Sequence, residues 1–157
     1  MDFTSYFEYN TSSPSCLTWA FGAASEGKGS AERKPNTTAG SLAKGFWNIQ
    51  VIEGEVRYRT NAHRVVWEIH NGFIPDGMVV LHREGRSNNI ENLMCVTRTQ
   101  HNLIKAWKSG KANVRPTGSG RFFATIRGHK SLGTYDTYAE AEQVYRIELR
   151  KLVEGML

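Results

Sequence analysis

Acidic residues are missing from a stretch of this chain in which basic ones accumulate. Between positions 103 and 134 there is no Asp or Glu, while Lys105, Lys108, Lys111, Arg115, Arg121, Arg127 and Lys130 all fall there. Binding a phosphate backbone requires such a stretch. A solvated basic surface has the same composition, and charge alone does not separate the two. Cysteine is almost absent as well. Cys16 and Cys95 are the two in 157 residues, far apart and in no metal-type spacing. That leaves no basis for a disulfide framework, and it argues against a structural zinc module built on cysteine pairs. Long apolar runs are lacking, so nothing reads as a bilayer span. The opening MDFTSYFEYN has neither the basic nor the apolar region of a secretion signal. Gly and Pro interrupt any long amphipathic helix, which disfavours a membrane surface as partner. The expectation is a cytoplasmic chain of one ordinary or two small domains, with a net charge of +5 and 39% hydrophobic residues.

The patterning is mixed α and β, without an internal repeat. Tyr6 to Trp19 reads as a strand or hairpin. Residues 23–40 are rich in Gly, Ser, Thr and Lys and read as a loop or mobile segment. In GFWNIQVI, Trp47, Ile49 and Val51 alternate with polar residues, and Glu53-Gly54 can turn the chain into VRYRT. Ala62, Val65, Val66 and Ile69 then recur at helical spacing before the stop Asn71-Gly72. His63 and His70 share another stripe of that helix with Trp67. They could ligate a metal, but no carboxylate or cysteine joins them at ligand spacing, and hydrogen bonding or packing is the better reading.

From Met78 the order is strand, bend, strand, helix. Met78–His82 is apolar up to its closing histidine, Glu84 to Asn89 is rich in Gly and Asn, and residues 92–96 read as a second strand. Thr97 and Gln100 make a capping box, which starts a helix running to about Lys108. Beyond a linker, RFFATIR alternates, with Phe122, Ala124 and Ile126 on one face and Arg121, Phe123, Thr125 and Arg127 on the other. KSLGTY is its expected partner strand. A second capping box, Thr137 with Glu140, opens a helix with the stripe Ala141, Val144, Tyr145, Leu149 and Leu152.

A histidine closing a strand can deprotonate water at neutral pH. A polar side chain in the first turn of the following helix can hold a divalent cation, and an asparagine ending the bend can pin the loop through its amide. His82, His101 and Asn92 can fill these roles, although two histidines about twenty residues apart are by themselves more often unrelated.

The segment LHREGRSNNIENLMCVTRTQHN resembles the ββα-metal motif of HNH endonucleases, in particular the phage and intron homing-endonuclease branch. AGSLAKGFWNIQV and AHRVVWEIHNGFIPDGMVV resemble the region that precedes that motif. RFFATIRGHKSLGTYDTYAEAEQVYR resembles the ethylene-responsive-factor type of DNA-binding domain. Together these cover roughly two thirds of the chain. The resemblance implies an α+β protein with a small β-rich region at 1–60, an HNH core at 61–108, and a linker with an antiparallel-sheet-plus-helix DNA-binding domain at 109–157. It implies hydrolysis of phosphodiester bonds in double-stranded DNA with Mg²⁺ or Mn²⁺, by nicking or double-strand cleavage, in the host-cell cytoplasm if phage-encoded; the oligomeric state is not given by the sequence, with a monomer favoured. His82 takes the position of the general base, Asn92 that of the loop-fixing residue and His101 that of the metal ligand, with Asn102 its alternative. Lys105, Lys108, Arg115, Arg121, Phe123, Thr125, Arg127 and Lys130 are the expected DNA-binding residues. The loop between His82 and Asn92 is a residue or two shorter than usual. Leu81 stands where the family has a metal-binding Asp or His, so the resemblance also implies an alternative, a DNA-binding protein that has lost cleavage. Glu84 is the nearby carboxylate that could substitute.

Overall fold

Seven short strands and one helix make the first of two units in the computed structural model, which describes residues 1–20 and 35–156. This unit spans Met1–Cys95 and the second Val96–Leu157. The first unit opens with β1 (Phe7–Tyr9) and β2 (Leu17–Trp19), an antiparallel pair with Phe7 opposite Trp19. Of the loop expected over 23–40, residues 23–34 lie outside the described residues. β3 (Ser41–Ala43), β4 (Phe46–Glu53) and β5 (Val56–Asn61) form an antiparallel sheet in that order.

The alternation in β4 does what it predicts: Ile49 and Val51 are buried on one face. Glu53 pairs with Val56 across a two-residue turn in which Gly54 has φ +56°. At the other end of β4 the turn is Lys44-Gly45, with φ +52° and +78°. Two positive φ values in succession are the geometry of a tight hairpin turn, which glycine adopts without strain.

α1 (Ala62–Asn71) buries Ala62, His63, Val65 and Val66, and it stops where the Gly72 N–H donates to the Glu68 carbonyl at φ +77°. After the Pro75-Asp76-Gly77 turn, β6 (Met78–His82) pairs with β7 (Leu93–Thr97). One core runs through this unit, from Phe7, Leu17 and Trp19 through Ile49, Val51, Val65 and Val66 to Val80 and Leu93. The N-terminal hairpin and the strands of the motif therefore share buried surface.

In the second unit both capping boxes form. The Gln100 N–H donates to the Thr97 hydroxyl at 3.2 Å, and the Thr97 N–H donates to the Gln100 side chain at 2.9 Å, opening α2 (Arg98–Ser109). The Glu140 N–H donates to Thr137 at 3.2 Å and opens α3 (Tyr138–Val153). Between them lie β8 (Val114–Pro116), β9 (Phe122–Ile126) and β10 (Lys130–Tyr135), an antiparallel sheet with β9 in the middle. Ala124 and Ile126 are buried, as are Ala141, Tyr145, Leu149 and Val153 of α3. The fold class is α+β. No described helix is long and apolar enough to cross a membrane.

Candidate active site and nucleic-acid interface

β6 delivers His82 to the core side of the first unit. Side chains alternate along a strand, so Val80 and His82 point to one face and Leu81 to the other. Val80 and His82 are buried and Leu81 is half-buried. The His82 ring lies 4.8 Å from that of His63, centroid to centroid, and 6.2 Å from that of Phe46. Its Nε2 is 2.9 Å from Oδ1 of Asn88, an asparagine only 4% exposed.

The bend after His82 is held by Asn92. Its Oδ1 accepts from the Glu84 N–H at 2.9 Å, and its Nδ2 donates to the carbonyls of Glu84 at 2.7 Å and Ser87 at 2.8 Å. The Arg83 N–H closes the base of the bend on the Asn92 carbonyl at 2.7 Å. One amide thus uses its donor and acceptor ends to fix both sides of a loop that must turn within a few residues. Gly85, with φ +53°, lies at that turn.

Phe46, His63, Arg86 and Asn88 complete the cluster; of these only His63 was weighed from the sequence, as a helix histidine with a packing or hydrogen-bonding role, and not as a neighbour of His82. His63 and the Asn88-Asn89 pair lay within the stretches quoted for the resemblance, which was the available signal. Arg86 stacks on Phe46, with Cζ 4.3 Å from the ring centroid, and donates to the Lys44 carbonyl at 2.7 Å. A Cβ built on Gly45 would lie 1.9 Å from Arg86 Nη1. Gly45 therefore serves twice, in its turn and as the floor under a guanidinium.

His63 is 8% exposed, and burial, assisted by the neighbouring His82 and Arg64, pushes its pKa down to about 4 against a hydrogen bond to the Val80 backbone. The unfolded chain takes up that proton near 6.5 and the native protein not until about 4. In between, the unfolded state binds more protons, so stability is full above pH 6.5 and falls as the pH drops towards 4. The expected loss over that window is on the order of 3 kcal/mol. Urea unfolding at a series of pH values checks it; a His63→Gln variant with the same acid slope would assign the loss elsewhere.

His70 has its own partners. Its Nδ1 donates to the Val66 carbonyl at 2.9 Å, and its ring meets Tyr9 edge-on at 4.4 Å. His63 and His70 thus have the structural roles expected of them. Among the described residues no group of three or more His, Cys, Asp or Glu side chains is placed to hold a metal.

In the second unit His101 lies in the first turn of α2, half-buried, with Asn102 exposed beside it. Lys105 and Arg127 line one groove together with Lys111, Asn102 and Asn113, with no carboxylate among its lining residues. Arg115 sits opposite Phe123 across β8 and β9, its Cζ 5.0 Å from the ring. The Thr125 hydroxyl donates to the Lys130 carbonyl, and Lys108 lies in the last turn of α2. Arg121 instead pairs with Asp136 at 2.8 Å. Lys130 pairs with Glu148 of α3, whose carboxyl Lys130 and Lys151 together hold down to about 2.

Residues 60–103 match a family model described as HNH endonuclease. This supports an HNH-type nuclease. No curated protein and no solved structure matches the chain significantly. The matched segment contains β6, the Asn92-clamped bend, β7 and the start of α2.

Proposed function

We propose that this chain is a metal-dependent HNH endonuclease of the phage or mobile-element type that hydrolyses phosphodiester bonds in double-stranded DNA. The observation that carries the reading is the pairing of a buried histidine at the end of β6 with a bend locked by Asn92. His82 removes a proton from the attacking water. Asn92 fixes the bend that supports it, and Arg86 offers a guanidinium beside the same aromatic ring, with donors suited to a phosphate. Attack at phosphorus expels the 3′ oxygen and leaves a 5′ phosphate and a 3′ hydroxyl.

His101 is the protein ligand assigned to the cation, which would draw its other ligands from phosphate oxygens and water. Bound Mg²⁺ or Mn²⁺ supplies positive charge next to the phosphate and the departing oxygen. The carboxylate-free groove of Lys105, Lys111 and Arg127 and the Arg115–Phe123 pair support DNA binding by the second unit. Arg121, Lys108, Thr125 and Lys130 belong to the same proposed interface. The three-stranded sheet backed by α3 is consistent with the ethylene-responsive-factor-like reading. The protein acts as a monomer in the cytoplasm.

Relaxation of supercoiled plasmid with Mg²⁺, with Mn²⁺ and with EDTA tests this reading. Nicking that needs the metal is expected. Leu81 favours a second reading, DNA binding without cleavage, because its side chain has no donor atom. Retention of DNA in a gel shift with no nicking under any metal would select it.

Under the endonuclease reading, Leu81→Asp adds a carboxylate at the position where the family binds metal. The variant is expected to reach half-maximal nicking at a metal concentration roughly tenfold lower or less. A metal titration unchanged from that of the parent would show that position 81 is not at the metal.

A further inference from the structure

The first unit carries an open groove of about 1120 Å³ along the β3–β4–β5 sheet. Asn48 and Gln50, which alternate with the buried Ile49 and Val51, line it together with their cross-strand partners Asn61 and Arg59. The β3–β4 turn adds Lys44, and α1 adds Arg64 and Glu68, one helical turn apart. The lining thus holds three cations against one carboxylate, and Arg64 stands beside that carboxylate. Arg59 is fixed by its Nε, which donates to Gln50 Oε1 at 3.1 Å. Among the described residues no carboxylate pairs with Arg59 or Lys44. A cleft lined by one sign of charge concentrates its field on a ligand of the other sign. At one end the groove reaches Phe46, the ring on which Arg86 stacks and which lies 6.2 Å from that of His82. From Phe46 to Gln50 the strand advances about 13 Å, the length of about four base-pair steps along one DNA strand.

We propose that this groove is a second DNA-binding surface, on the first unit, which holds the sugar-phosphate backbone of one strand beside His82. Lys44 and Arg59 take phosphates, and the Asn48 and Asn61 amides offer donors and acceptors to phosphate and sugar oxygens. The strands that build the groove, β3, β4 and most of β5, precede the segment that matches the HNH model. The sheet is thus an addition to the nuclease motif, and it ends at the same aromatic ring as the motif's own arginine. A strand lying along Arg59, Asn48 and Phe46 arrives at the Arg86 guanidinium, whose remaining donors face no carboxylate partner among the described residues. Lys44 and Arg86 belong to one arrangement, because the Lys44 carbonyl that accepts from Arg86 sits in the turn that presents the Lys44 side chain.

The proposal rests on DNA as the partner and not on cleavage. The test is fluorescence-anisotropy titration of a labelled DNA duplex with the full chain, in EDTA and at a series of salt concentrations. The double variant Lys44→Gln with Arg59→Gln removes two charges, yet it keeps the Lys44 carbonyl and an amide opposite Gln50. Its slope of log K against log salt should be shallower than that of the parent by about two. Arg150→Gln with Lys151→Gln removes the same charge from α3 and should leave the slope unchanged, with thermal melting showing that both variants are folded. A groove variant with the parent's slope overturns the proposal, as does a control that lowers the slope equally. A parent that binds no duplex overturns it together with the DNA-binding reading. If the slope falls as stated and no metal brings nicking of plasmid, the groove stands and the endonuclease reading falls. If nicking is metal-dependent and the slope is unmoved, the endonuclease reading stands without the groove.

Discussion

Replacing His82 by alanine should lower metal-dependent nicking by about 10² to 10⁴-fold, the range that a positioned general base contributes. The expectation follows from what surrounds the ring. His82 closes β6 between His63 and Phe46 and is 8% exposed, so no neighbouring side chain substitutes for its nitrogen without rearrangement. His63, the nearest imidazole, has its pKa pushed down to about 4 and donates to the Val80 backbone, which makes it a weak base. DNA retention should be unchanged, because His82 is not among the proposed DNA-binding residues. Truncation leaves a space the size of the ring, so imidazole added to the assay should restore part of the rate. A variant within about threefold of the parent, far short of the loss that removing a general base brings, would place the base elsewhere.

The local parts of this architecture could be read in the sequence because their causes are local. Thr97 with Gln100 and Thr137 with Glu140 announce their helices since a capping box is complete within four residues. The alternation of Ile49 and Val51, and of Ala124 and Ile126, follows from the two-residue period of a strand. The stripe of α3 was right at Ala141, Tyr145 and Leu149. It ends at Val153 rather than Leu152, since the buried positions there recur every four residues. β3 gave no signal: its three residues are all exposed, and three residues are too few for a period to appear.

The surroundings of His82 were hidden for a different reason. Ser15, whose carbonyl accepts from Asn88, is 73 residues away from it, and Arg86 and Lys44 are 42 apart. Such polar pairs are created by the fold and leave no spacing to find. The resemblance supplied His82, Asn92 and His101, whereas the cluster of Phe46, His63 and Arg86 needed coordinates.

Asn92 couples the legible part of the site to the hidden part, and its removal should cost both rate and stability. Asn92→Ala deletes three hydrogen bonds at once, two of them on opposite sides of Glu84. At a net value of about 0.5–1.5 kcal/mol each, their loss is expected to lower stability by about 1–3 kcal/mol, less than the full sum because water can reach part of the loop. The effect on rate should be larger. The freed segment carries Asn88, whose oxygen orients the His82 ring, and a shift of about 1 Å in a reacting group costs on the order of 10²-fold. Asn92→Asp should be no better than alanine. It keeps the acceptor for the Glu84 N–H but sets a carboxylate oxygen against the carbonyls of Glu84 and Ser87, where the parent has a donor. Thermal unfolding and plasmid nicking, measured on both variants beside the parent, check the two effects separately. If Asn92→Asp nicks DNA as the parent does, the bend is held by its backbone alone, and the route from Asn92 through Asn88 to His82 is wrong. If both variants lose the stated stability and fall by about 10²-fold in rate, the clamp acts through loop geometry, and the base depends on an amide ten residues away in the chain.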